Sequence, residues 1–305
     1  MRIAHLSDPH VRGEAPEPWT AYANKRATGW VNLKLKRHAS HKHEVLQALL
    51  REVARRRPDH VVITGDFSNL AFEGELVRAR ELIDRELGLP ADQVNGVPGN
   101  PDLYTAGSAR RRRFLGVFGD YMTSDLPGIS AAHASGPFPF VRLRGDAALI
   151  GLSSATPRPP MIASGLVGRP QREALARVLG RDELRGKVPL VLVHHPLHPL
   201  RTRVRTFTNG LSDAAAMRGL LRQAEGAVVL HGHLHERVQI DLGGGLRSIG
   251  ATSASLLHDD DDRRAGFNVY ELEGGAFVRE HAVVLDAATG RFDERAIPSG
   301  PPVTA

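Results

Sequence analysis

Asp8 and His10 stand two residues apart in SDPH, and Asp66, Asn100, His194, His195, His233 and His235 follow at widely separated positions along the 305-residue chain. Carboxylate oxygen, amide oxygen and imidazole nitrogen are hard-to-intermediate ligands, compatible with Mn²⁺, Fe, Zn²⁺ or Co²⁺. The sequence has no cysteine, so thiolate ligands and disulfides are both excluded. Taken singly, each position is weak: an Asp-x-His pair arises by chance, and Gly-Asp after a strand is often a helix-capping turn. HGHLH is stronger, because His233 and His235 alternate beside a glycine that leaves room for an ion. Six or seven such ligands brought together suit two divalent cations better than one, and a cation pair is suited to hydrolysis.

Convergence requires elements that end at one edge. Continuous apolar runs at 2–8, 60–66, 94–100, 147–154, 188–195 and 226–233 read as strands buried on both faces. Between several of them, HEVLQALLREVARR, GELVRARELIDREL, QREALARVLGRDEL and SDAAAMRGLLRQA carry apolar residues at helical spacing. The alternation predicts an α/β fold, and the candidate ligands fall at the C-terminal ends of the strands, where open α/β sheets build their sites. After His235 the texture changes to hairpins turning at GGG and EGG. With no long linker, the chain is expected to form a single domain over 1–298, with 299–305 as a loose tail.

The five blocks SDPH, GDFSN, GNPD, VHHP and GHLH resemble those of the calcineurin-like metallophosphoesterase superfamily over roughly residues 1–240. The resemblance implies a four-layer α/β/β/α sandwich, two mixed sheets face to face with helices outside. It also implies that Asp8, His10 and His235 hold one metal, that Asn100, His194 and His233 hold the other, and that Asp66 bridges them. His194 is preferred to His195 because the family ligand stands two residues before a proline, here Pro196. A bridging carboxylate holds two cations about 3.5–4 Å apart and makes hydroxide available near neutral pH, so no covalent intermediate is needed. On this reading Asp66 and Asn100 are catalytic through the metals, and Asn69 and Arg12 are expected to contact the substrate.

One position departs from the pattern. Pro101 stands where the family has a histidine thought to stabilise the transition state or protonate the leaving oxygen, and proline does neither. Three readings follow: His195 supplies the proton, the leaving group needs none, or the site is an impaired metal-binding scaffold. Because branches lacking this histidine resemble phosphodiesterases, a diester, either a cyclic nucleotide or a nucleotide-containing diester, is the expected substrate. The alternative is a pyrophosphatase or monoesterase for a lipid-linked or small phosphorylated substrate at a membrane.

The formal charge is +6, yet residues 25–57 alone hold ten Lys/Arg against two Glu. This block overlaps an insertion at 16–43 whose tryptophans, Trp19 and Trp30, would share a face if the segment is helical. Basic residues beside aromatics suit an anionic membrane surface, whereas the plainer alternative is a helix packed on its own domain. The runs Arg110–Arg113 and Arg201, Arg203, Arg205 are either further phosphate contacts or solvated surface. No nucleic-acid-binding module is evident. The N-terminus lacks a secretory apolar region, and no apolar run is long enough to span a bilayer, so a cytoplasmic location, peripheral to a membrane at most, is expected. Nothing in the sequence selects an oligomeric state.

Overall fold

The computed structural model describes residues 1–13, 41–133, 136–159 and 161–303. β1 (Arg2–Leu6), β2 (His60–Ile63) and β3 (Val94–Gly96) pair in parallel, with Ile3 opposite His60 and Val61 opposite Val94. The crossovers between them are α1 (His43–Arg55) and α2 (Glu73–Leu87), which pack against each other. α1 buries Leu46, Leu49, Leu50 and Val53, the three- and four-residue spacing of one helical face. The short helices α3 (Ala106–Arg110) and α4 (Arg113–Phe118) follow, and Phe114 and Phe118 of α4 pack their rings against Phe67, edge-on and tilted respectively. A small hairpin, β4 (Ala131–His133) and β5 (Gly136–Phe138), leads into the second half.

The second sheet begins with β6 (Phe140–Arg144) antiparallel to β7 (Ala147–Gly151). β7, β8 (Val188–Leu192) and β9 (Val228–His231) run parallel. Between these strands lie α5 (Arg169–Leu179), α6 (Arg203–Asn209) and α7 (Ala214–Leu221). β10 (Val238–Asp241) and β11 (Arg247–Gly250) form the hairpin that turns at the triple glycine, and β11 pairs in parallel with β9. β12 (Gly266–Glu273), β13 (Ala276–Leu285) and β14 (Phe292–Arg295) return to the first sheet, where β12 lies antiparallel to β1. The result is two six-stranded mixed sheets, β14-β13-β12-β1-β2-β3 and β10-β11-β9-β8-β7-β6.

Side-chain alternation assembles the layers. Leu190 and Leu192 of β8 share a core with Leu149, Leu230, Leu6 and Val269, drawn from both sheets, whereas Val191 and Val193 pack with Leu175, Val178 and Met217 on the helical side. Both faces of the central strands are therefore apolar, which is why they read as unbroken runs. The six strands predicted from sequence all form, each ending two to four residues earlier than its apolar run. Except after β7, the surplus residues belong to loops that carry the candidate ligands.

Two expectations need correction. Residues 298–303 are not a loose tail: Gln239 donates to the Pro298 carbonyl at 2.7 Å, Gly300 to Gln239 at 2.8 Å and Val303 to Asp241 at 2.9 Å, so they lie along the edge strand β10. β6 and β14 were not expected, because their alternating polar residues make no continuous apolar run. Of the insertion at 16–43, residues 41–43 are described, while Trp19, Trp30 and the basic residues from Lys25 to Arg37 lie outside the described residues. Among the described residues no helix is long and apolar enough to cross a membrane.

Candidate metal centre

The loops after β1, β2, β3, β8 and β9 meet at one end of the facing sheets. Asp8 donates its N–H to the Gly65 carbonyl and His10 to the Asp66 carbonyl, both at 2.9 Å, so the first two loops run side by side. Gly232 donates to the His194 carbonyl at 3.2 Å, joining the loops of the second sheet. The sheets are tied together by the His233 N–H, which reaches Asp8 Oδ2 at 3.0 Å. Such an approach excludes a side chain at Gly232: a Cβ there would stand 2.3 Å from Asp8 Oδ2. Asp8, His10, Asp66, His233 and His235 all have φ between 50° and 67°, a left-handed conformation that costs a non-glycine residue about 1 kcal/mol or more. Tight tertiary hydrogen bonding holds these five residues there.

The bonds around each ligand leave one donor atom turned inward. Asp8 Oδ2 accepts from Ser7 Oγ at 2.6 Å as well as from His233, and Asp8 Oδ1 faces His235 Nε2 at 3.1 Å and His10 Nε2 at 3.7 Å. His10 Nε2 lies 3.1 Å from His235 Nε2 and 3.8 Å from Asp66 Oδ2. His194 Nδ1 donates to the Thr64 carbonyl at 2.7 Å. That bond fixes the tautomer, so Nε2 presents a lone pair to Asn100 Oδ1 at 3.2 Å and to Asp66 Oδ1 at 3.3 Å. Burial holds both His194 and His233 below the ordinary histidine pKa, which keeps the imidazoles neutral. Burial would raise the Asp8 carboxyl, but His235, by charge and hydrogen bond, together with His194 and His10, keeps it well below the usual carboxylate range. The His194 Nε2 lone pair thus faces the Asn100 amide oxygen and the Asp66 carboxylate with no proton between them, an arrangement that a divalent cation would reconcile. His233 completes the group, its ring centroid 5.0 Å from that of His194. All seven residues expected as ligands lie at this one place.

The sequence matches the calcineurin-like phosphoesterase family over residues 1–237. The chain belongs to that family. Its chemistry is metal-dependent phosphoester hydrolysis at a dinuclear centre. No curated protein matches the chain. Among solved structures, the phosphoesterase is similar to a dimetal phosphatase from Danio rerio, with a TM-score of 0.56 and 15% identity over 97% of this chain and 98% of that one. It is also similar to the purple acid phosphatase PPD1 of yellow lupin (TM-score 0.55, 13% identity, 98% of this chain and 53% of that one). A 5'-nucleotidase from Candida albicans gives a TM-score of 0.51 at 12% identity, over 94% of this chain and 52% of that one. The chain spans about half the length of the last two, and at these identities the likeness is one of fold.

In this phosphoesterase the remaining expected residues take other places. His195 is buried, its Nε2 donates to the Ala163 carbonyl at 2.8 Å, and its Nδ1 meets Ser154 Oγ at 2.8 Å. Burial, reinforced by His194, lowers its pKa to about 3. Both ring nitrogens of His195, the residue expected to supply the proton, are thus engaged, and it packs behind His233, with ring centroids 4.4 Å apart. Asn69, expected to contact the substrate, donates its side-chain NH₂ to the His10 and Val11 carbonyls at 2.9 and 3.1 Å and braces the His10 loop. Arg12 borders a cavity of about 460 Å³ beside His10 that Arg78 and Lys42 also line. Pro101 is buried in the turn after Asn100.

Sequence reading missed Asp102, one residue further on. Its carboxylate is fully buried and accepts from Gly99 N at 2.9 Å, Phe67 N at 3.2 Å, and Ser68 N and Oγ at 2.9 Å each. It clamps the Asn100 turn to the loop that carries Asp66. Burial pushes its carboxyl up to about 6 against four bonds that favour the ionised form.

Proposed function

We propose that the chain is a phosphodiesterase in which Asp8, His10 and His235 hold one divalent cation, Asn100, His194 and His233 hold a second, and Asp66 is shared. When bound, the ions acidify water and offset charge on the phosphoryl oxygens. The chain's own residues orient that chemistry. Thr64 turns the His194 lone pair inward, Ser7 and the His233 N–H leave Asp8 Oδ1 directed at His10 and His235, and Asp102 holds the Asn100 turn against the Asp66 loop.

The observation that carries the diester reading is Pro101. It has no proton to give and no N–H, and the nearby His195 already spends both nitrogens on Ser154 and Ala163. General acid catalysis is worth about 10²- to 10⁴-fold, so a site without it favours esters whose leaving oxygen needs little help. Strained cyclic diesters and activated diesters meet that condition better than alkyl monoesters. The cavity beside His10 lined by Arg12, Arg78 and Lys42 favours one variant, a pyrophosphate diester whose second anionic group sits there.

The test compares bis(4-nitrophenyl) phosphate with 4-nitrophenyl phosphate on Mn²⁺-loaded protein, with Asp66→Ala as the inactive control. We expect kcat/KM for the diester to exceed that for the monoester, and Pro101→His to raise monoester turnover by about 10²-fold or more. Efficient monoester hydrolysis with none of the diester would refute the reading. Turnover of a pyrophosphate diester, with the aryl diester inert, would select the variant.

A further inference from the structure

His41 belongs to none of the five motifs, yet its ring meets His10 edge-on with centroids 4.9 Å apart and His235 at 5.5 Å. One ring nitrogen from each of His10, His41 and His235 lies within 4.8 Å of the other two. The position of His41 is built by contacts of its own. Its Nδ1 meets Ser255 Oγ at 2.9 Å and Ser253 Oγ at 3.3 Å. The next residue, Lys42, donates its N–H to the Ser255 carbonyl at 2.9 Å, and His41 itself bridges to Leu256. Ser253 also donates to the Asp8 carbonyl at 2.6 Å, so the same seryl segment braces both His41 and the Asp8 loop. A hydroxyl at Nδ1 is the outer contact by which a ligating imidazole is commonly oriented with Nε2 toward its ion.

We infer that His41 is a further ligand of the cation held by Asp8, His10 and His235. The inference rests on the two-cation reading and makes its two positions unequal. One gains a third imidazole, while the other keeps His194, His233 and the Asn100 amide. Because imidazole nitrogen favours Zn²⁺ and Co²⁺ over Mn²⁺, the His41 side would be the more selective of the two. His41 lies near the C-terminal end of the insertion at 16–43, so ion binding would tie that end of the insertion to the site.

The experiment is a Co²⁺ titration of the full-length chain after metal removal, followed by the visible d–d absorption. Wild type is expected to take up two ions. In His41→Gln one ion should bind as before and the other about 10- to 100-fold more weakly, with an altered d–d spectrum. Ser255→Ala, which keeps the imidazole and removes its brace, should weaken the same ion by less. His258→Gln, at an exposed loop position, should leave both ions unaffected. A folded His41→Gln protein that binds two ions with wild-type affinity and spectrum would overturn the inference. If His41→Gln does not fold, wild-type binding in Ser255→Ala does so instead. Fewer than two ions in wild type would instead overturn the two-cation reading beneath it.

Discussion

Asp102 shows how much of a metal site depends on side chains that touch no metal. Each of its oxygens takes two donors, so replacement by asparagine turns an NH₂ group toward backbone N–H groups that need an acceptor. Asp102→Asn is expected to destabilise the protein by about 1–3 kcal/mol, the cost of buried donors left unsatisfied. Metal affinity should fall by about 10- to 100-fold, as for other groups that orient ligands. Urea denaturation with and without Mn²⁺ separates the two effects. Unchanged stability in the metal-free protein would show that the carboxylate is not the clamp its geometry describes. Asp66 and Asn100 were legible in the sequence because their motifs announce them. Asp102 was not, although it stands two residues from Asn100, because its partners Phe67 and Ser68 reach it only once the β2 and β3 loops are side by side.

Strands and glycines set the site at the scale of elements. The apolar runs located every strand that delivers a ligand, yet each was read too long, because hydrophobicity continues into loops such as Val193 and Val97 that pack beneath the site. Periodicity reports burial, and the hydrogen-bond ladder ends before burial does. The interlocking of those loops is just as invisible to periodicity. A Cβ at Gly99 would stand 2.0 Å from Asp66 Oδ1 and 2.3 Å from the Asp66 backbone nitrogen, too close for a rotamer change to relieve. Gly99→Ala should therefore displace Asp66 and lower kcat/KM by about 10²-fold, the effect of moving a reacting group by about 1 Å. Gly219, within α7, has nothing within 4 Å of its hypothetical Cβ, and Gly219→Ala should stabilise the protein by about 0.5–1 kcal/mol. Equal effects of the two substitutions on turnover and melting temperature would count against the close-approach account.

At the scale of the whole molecule, neutral histidines inside the first sheet make folding sensitive to acid. His60 on β2 is fully buried, and its Nε2 donates to Asn95 Oδ1 of β3 at 2.8 Å, while the Asn95 NH₂ donates to the Tyr121 carbonyl at 2.7 Å. His60 Nδ1 is buried without a hydrogen-bond partner among the described residues, so a proton placed there would be stranded. Burial lowers the pKa to about 4; the Asn95 bond opposes this, and Arg144 and Arg142 reinforce it. An unfolded histidine titrates near 6.5, so between pH 6.5 and 4 the unfolded chain takes up a proton that the folded chain refuses. The stability present above pH 6.5 is therefore lost progressively as pH falls toward 4, by about 3 kcal/mol for this residue if the whole shift is realised. His5 and His231, each lowered to about 3 chiefly by burial, add to the slope in the same direction. His60→Gln keeps a donor for Asn95 and removes the titration. Its unfolding free energy, measured in urea across that range, should fall less steeply than that of wild type. Because every other titratable group is common to both proteins, the difference between the two curves isolates His60, and parallel curves would place the acid sensitivity elsewhere in the molecule.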